Sequence, residues 1–135
     1  KKFGVYEHRV MNRKVPLVRG FDDYFMAPHS RHTEVRTEDI RKVKELTILA
    51  ESEEAVVFLA IADEGRRIFV MGHPEYDRYT LDKEYKRDKE KGLPIEPPVN
   101  YYPDDDEKAE PAVALARQYP LQQLVKLLRL SADSL

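Results

Sequence analysis

Val56-Val57-Phe58-Leu59-Ala60-Ile61 is apolar without a break, and shortly after it comes Ile68-Phe69-Val70-Met71-Gly72-His73-Pro74-Glu75-Tyr76. Val, Ile and Phe enrichment favours strand over helix, and an unbroken apolar run predicts a strand covered on both faces. Working outward, Leu46 to Ala50, Ala55 to Ala62 and Arg67 to Met71 are expected as three strands, with turns at Glu51 to Glu54 and Asp63 to Gly65. Asp77 can cap a helix from about Arg78 to Lys91 that Gly92 closes. Upstream, Phe3 to Arg9 alternates enough for a strand, Asn12 to Lys14 suggests a turn, and Val15 to Val18 a second short strand. Gly20 to Arg36 has little periodicity and is expected as a long irregular loop of the kind that carries function. Thr37, followed by Glu38 and Asp39, predicts the start of a short helix ending near Val43. Leu93 to Pro103 holds four prolines and should be extended. Asp104 to Glu107 forms an acidic turn. The expectation is an α/β domain.

The chain has 135 residues, enough for one domain or part of one. Lys plus Arg is 23 and Asp plus Glu is 25, so the net charge of −2 offers no basic footprint for nucleic acid. No apolar run is long enough to span a membrane, and no signal sequence is recognisable, so a cytoplasmic protein is expected. The chain does not begin with Met and is read as a fragment or a processed product. Cysteine is absent, which excludes disulfides, thiolate metal sites and a cysteine nucleophile within this chain.

The chemistry concentrates where the strand ends at Gly72. There His73 and Glu75 enter the loop before the next helix, and in open α/β sheets ligands bind beyond the carboxyl ends of strands. An imidazole beside a carboxylate is what a general base needs: the carboxylate fixes the tautomer and stabilises the imidazolium. A merely exposed pair is the plain alternative. His29 and His32 flank Ser30 and Arg31, but two histidines supply too few ligands for a closed metal site, so no metal is expected. Ser30 lacks the Gly-x-Ser-x-Gly elbow of a nucleophile. Either the polar groups of this loop bond one another, or Ser30 and Arg31 present a donor and a cation to a small polar substrate.

Five ordered motifs decide among these readings. They are Gly4-Val5-Tyr6-Glu7-His8, Arg19-Gly20-Phe21-Asp22-Asp23, Ala27-Pro28-His29-Ser30-Arg31, Gly72-His73-Pro74-Glu75-Tyr76-Asp77 and Asn100-Tyr101-Tyr102-Pro103. Together they resemble the C-terminal half of homoserine O-acyltransferases of the homoserine O-succinyltransferase type. The resemblance covers residues 1–106. It implies the C-terminal half of a class I glutamine amidotransferase-like (flavodoxin-like) three-layer α/β domain, with an incomplete sheet. It also implies ping-pong chemistry, in which a cysteine takes an acyl group from acyl-CoA and passes it to the γ-hydroxyl of L-homoserine. Acyl-CoA is then a co-substrate, and no cofactor is implied. By match to the family's motifs, His73 is the general base, Glu75 its orienting carboxylate, and Lys1, Ser30 and Arg87 contact substrate. The cysteine belongs to the N-terminal half, which becomes an expected partner, and this chain alone is expected to be inactive. The acetyl or succinyl preference is also expected to lie in that half.

The tail, residues 107–135, departs from the family. Read one nucleotide later, its codons can give the tryptophans and the Asn-Trp-Leu-Asn-Tyr-Tyr-Val-Tyr-Gln string that the family implies. Val113–Ala114 gives one tryptophan and Leu124–Val125 another. The expectation is a frameshifted translation starting between Asp106 and Val113. Leu121, Leu124, Leu127 and Leu128 share helical spacing, so an amphipathic helix over 113–131 is the tail's expected structure. That helix makes a non-catalytic interaction module, or a remnant without function, the alternative to the enzymatic reading. Half a domain leaves sheet edges uncovered, so marginal stability or homo-oligomers are expected.

Overall fold

The structure is a computed structural model that describes residues 2–12, 14–32 and 35–111. Among the described residues five strands form one sheet: β1 (Lys2–Val10), β2 (Tyr24–Arg31), β3 (Thr47–Ser52), β4 (Val56–Ala62) and β5 (Arg67–Val70), in spatial order β2-β1-β3-β4-β5. Every strand pairing is antiparallel. The helices α1 (Thr37–Arg41) and α2 (Thr80–Glu90) make the architecture mixed α/β. The expected tail helix and Lys1 lie outside the described residues. Among the described residues, no helix is long and apolar enough to cross a membrane.

The strands β3, β4 and β5 fall where their apolar runs put them. β4 is covered on both faces, as an unbroken apolar run requires. Phe58 and Leu59 join an inner core with Val10, Phe21, Ala27 and Leu49, while Val57 and Ala60 pack outward against Ile40 of α1.

Two expectations upstream are corrected. Val15 to Val18 is not a strand. Pro16 fixes φ and lacks an N–H, and Pro16–Val18 forms a single 3-10 turn. Gly20 to Arg36 is not one long loop, because Tyr24–Arg31 pairs with β1 from Lys2↔Arg31 to Arg9↔Tyr24. The pairing overrides weak local propensity, and Pro28 is tolerated because β2 is an edge strand.

The sheet curls until its two edges meet. The amide of His73, just past β5, donates to the Pro28 carbonyl of β2 at 2.9 Å. Gly72 permits this approach: a Cβ there would sit 2.6 Å from the Phe58 ring and 2.9 Å from the Pro28 carbonyl oxygen. Outside β1 lies a second core of Phe3, Val5, Leu81, Tyr85, Tyr101 and Tyr102. The extended proline segment ends there, with Val99 bridging Gly4 in parallel. Tyr101 and Tyr102 then fasten the start of α2. The Asp82 amide donates to the Tyr101 hydroxyl at 3.2 Å, and the Tyr102 hydroxyl donates to Asp82 Oδ1 at 2.5 Å.

Candidate active site

The closure of the curl brings the end of β2 against the loop between β5 and α2. His73 Nδ1 lies 2.8 Å from Glu75 Oε1. A carboxylate only accepts, so Nδ1 carries the proton and the Nε2 lone pair is left available. Nε2 faces the carbonyl oxygen of Ser30 at 3.3 Å. That oxygen also only accepts, so the contact is a hydrogen bond only when Nε2 carries a proton. The Tyr76 ring stacks on His73 at a centroid distance of 4.3 Å and an interplanar angle of 11°. The His73 side chain is 32% exposed, half-covered yet reachable from solvent.

Ser30 joins this cluster through its side chain as well as its backbone. Its Oγ donates to Glu84 Oε2 at 2.9 Å, and the Tyr76 hydroxyl donates to Glu84 Oε1. Burial and the neighbouring Glu84 push the Tyr76 phenol well above its ordinary range, so it remains a donor. Glu84 is a residue that the sequence reading missed. It stands one helical turn before Arg87 on α2, and residues three apart share a helix face. Leu81, Tyr85 and Asp88 make the buried stripe of α2, so the flanking position of Glu84 was available from helical phase. Arg87 remains exposed and pairs with Asp88 at 3.0 Å. Lys1 lies outside the described residues.

Arg31 follows the first of the two alternatives for its segment, in which its polar groups bond one another. Its guanidinium turns inward, with Nη1 against His29 Nδ1 and 3.3 Å from the Met71 carbonyl oxygen. Nη2 donates to the Ala55 carbonyl at 2.5 Å. His29 is fully buried, its Nε2 lies 2.8 Å from Nε2 of buried His8, and the two rings stack near Phe25 and Phe58. Burial lowers the pKa of His8 to about 4. Burial, with His8 and Arg31 nearby, lowers that of His29 to about 2. His32 is exposed on the other side of Arg31 in sequence, so the two histidines of this segment do not act together. Among the described residues, no three His, Asp or Glu side chains gather as metal ligands.

A cleft of about 870 Å³ opens elsewhere, where β1 diverges from the β3–β4 turn beneath α1. Arg9, Arg36 and Arg41 line it together with Glu7, Glu38 and Glu51. None of the catalytic candidates reaches it. The His73, Glu75, Ser30 and Glu84 cluster sits at the joined edges of the sheet.

The sequence model of the homoserine O-succinyltransferase family matches residues 1–120. A homoserine O-acetyltransferase of Agathobacter rectalis is 71% identical over 111 residues, which is 82% of this chain and 36% of that protein. One from Lachnoclostridium phytofermentans is 63% identical over 111 residues, 82% of this chain and 37% of that protein. One from Bacteroides thetaiotaomicron is 60% identical over 113 residues, 84% of this chain and 37% of that protein. The chain therefore spans little more than a third of the length of the curated relatives it matches. Among solved structures, a glutamine amidotransferase of Thermotoga maritima superposes with a TM-score of 0.60 at 16% identity, over 97% of this chain and 51% of that one. The fold is glutamine amidotransferase-like, and its sheet is incomplete.

Proposed function

The chain belongs to the homoserine O-succinyltransferase family, and on that footing we propose that it is the C-terminal segment of a homoserine O-acyltransferase. It brings the general base and part of the amino-acid site, and it depends on an N-terminal segment for the nucleophile. The observation that carries this reading is His73, with Nδ1 held at 2.8 Å by Glu75 and Nε2 left open toward Ser30.

In the complete enzyme, His73 Nε2 takes the proton of a cysteine thiol on the N-terminal segment as the sulfur attacks the acyl-CoA carbonyl. The proton then goes to the departing CoA thiolate, leaving an acyl thioester. In the second half, Nε2 takes the proton of the L-homoserine γ-hydroxyl as that oxygen attacks the thioester, and returns it to the cysteine sulfur. Glu75 holds the tautomer throughout, and the Ser30 carbonyl accepts from the imidazolium at each transfer. Glu84 and Arg87 offer one negative and one positive charge on one face of α2, the pattern that a zwitterionic α-amino acid requires. Lys1 contributes a further cation to substrate in this reading. The acyl chain length is set by the N-terminal segment. Without that segment the chain forms no thioester, since it contains no cysteine.

The test combines this chain with the N-terminal segment of a related homoserine O-acetyltransferase and follows O-acyl-homoserine formation. His73→Ala should lower the rate by about a hundredfold or more, the range expected for a lost general base, and Glu75→Gln by a smaller factor. Equal rates for wild type and His73→Ala would remove the reading.

A further inference from the structure

The buried His8–His29–Arg31 chain has no part in the reaction as written, yet it lies directly behind the base. A guanidinium carries donors only and keeps its charge. The His29 Nδ1 facing Arg31 must therefore present its lone pair. The proton of His29 is then on Nε2, which donates to His8 Nε2 at 2.8 Å. His8 in turn carries its own proton on Nδ1. The donor order runs one way, from Arg31 to His29 to His8, and it holds only while both rings are neutral. Their burial keeps them so.

The seated guanidinium ties three segments together. It belongs to β2, reaches the Ala55 carbonyl before β4, and reaches the Met71 carbonyl two residues before His73. Nearby positions of the same strand hold the rest of that loop. The Pro28 carbonyl accepts from the His73 amide at 2.9 Å, and the Ser30 carbonyl faces His73 Nε2 at 3.3 Å. Pro28 and Arg31 thus hold the amide and the approach of the loop that carries the base, and the Ser30 carbonyl lies beside its ring.

We propose that Arg31 is a positioning residue for His73, seated on the neutral His29–His8 pair and fixing the Met71 carbonyl so that the imidazole stays over Ser30. The inference rests on the reading of His73 as the base. In place of binding substrate, Arg31 sets where the proton acceptor stands.

The experiment has two arms, chosen so that this inference and the underlying reading fail separately. In the first, the 135-residue chain is labelled with ¹⁵N. Hydrogen exchange at the His73 amide and the long-range ¹H–¹⁵N signals of the His73 ring are compared among wild type, Arg31→Lys and Arg31→Gln. Arg31→Lys keeps the charge, but a single ammonium cannot span the three acceptors, so it serves even if Arg31→Gln fails to fold. The expected result is loss of His73 amide protection by about tenfold or more, with amides of β4 such as Leu59 still protected, and averaging of the Nδ1–H signal. Unchanged His73 protection and ring signals, with only a lower unfolding midpoint, would overturn the proposal and leave Arg31 a plain support of the fold. In the second arm, the same variants are combined with the N-terminal segment of a related enzyme. The expected result is a fall in kcat of about ten- to a hundredfold, with KM for L-homoserine within about twofold of wild type. An unchanged kcat overturns the proposal. If the wild-type combination transfers no acyl group, the reading of His73 as a transfer base fails, and the first arm still decides whether Arg31 holds the loop.

Discussion

The two nitrogens of His73 have different neighbours, Glu75 at Nδ1 and the Ser30 carbonyl at Nε2, and the proposed role as a directional base rests on that asymmetry. His8 and His29 show the opposite use of the same side chain. Both are buried and neutral, and Arg31, with His73 and Lys2 farther off, opposes charge on His29. Their effect on stability has a definite sign. In the unfolded chain a histidine protonates near its ordinary value of 6.5, whereas folded His8 does so only near about 4. Between those values the unfolded state binds more protons, so stability is full above about 6.5 and falls as the pH drops through this window. His8 alone should account for a loss on the order of 3 kcal/mol on reaching the lower value. Asp77 and Glu107 have pKa values held below their ordinary range, so their share of acid destabilisation begins lower. Urea unfolding between pH 7 and pH 4 should therefore show a slope that His8→Phe flattens, and an unchanged slope in that variant would refute the neutral-pair description.

At the scale of elements, position depends on close approach. Gly72 lies under the Phe58 ring and the Pro28 carbonyl, and Phe58 is fully buried and cannot swing aside. Gly72→Ala should cost about 1–3 kcal/mol, typical of overpacking, measured as a shift in the urea midpoint at constant slope. It should also loosen the His73 amide from Pro28. What the sequence disclosed follows the strength of each local signal. β4 is an uninterrupted apolar run and β5 carries Ile68-Phe69-Val70 behind Arg67. The expected cap is corrected, because α2 starts at Thr80 with Tyr79 at its N-cap and no side-chain cap bond, and Asp77 accepts from the Tyr79 amide at 2.8 Å in the turn before it. β2 was invisible because Pro28, His29, Ser30 and Arg31 show no alternation, and only pairing with β1 makes them a strand. The inward turn of Arg31 was hidden for the same reason. A cation in a polar segment looks solvated until its buried partners His29 and Ala55 are known. Glu84 could have been found from helical phase, three residues before Arg87.

At the scale of the whole molecule, the described residues form a sheet curled on itself with His73, Glu75 and Ser30 at the seam, and the proposed reaction needs a nucleophile from another segment. The sheet's edges explain the expectation of assembly: Tyr24 on β2 and Phe69 on β5 are exposed apolar side chains on the two outermost strands. For the chain beyond 106–113 we propose a shifted reading frame. Sequencing the coding DNA should give, one base later, tryptophan codons at the Val113–Ala114 and Leu124–Val125 junctions. Codons that do not yield them would end that proposal.

The central claim is that this chain activates a thiol it does not possess. The most direct measurement is CoA release from acyl-CoA without L-homoserine, on mixing this chain with a cysteine-bearing N-terminal segment of a related homoserine O-acetyltransferase. The account predicts a burst of about one CoA per active cysteine with the wild-type chain, a burst slowed by about a hundredfold with His73→Ala, and none from this chain by itself. A burst of equal rate with His73→Ala, or one from this chain alone, would contradict it.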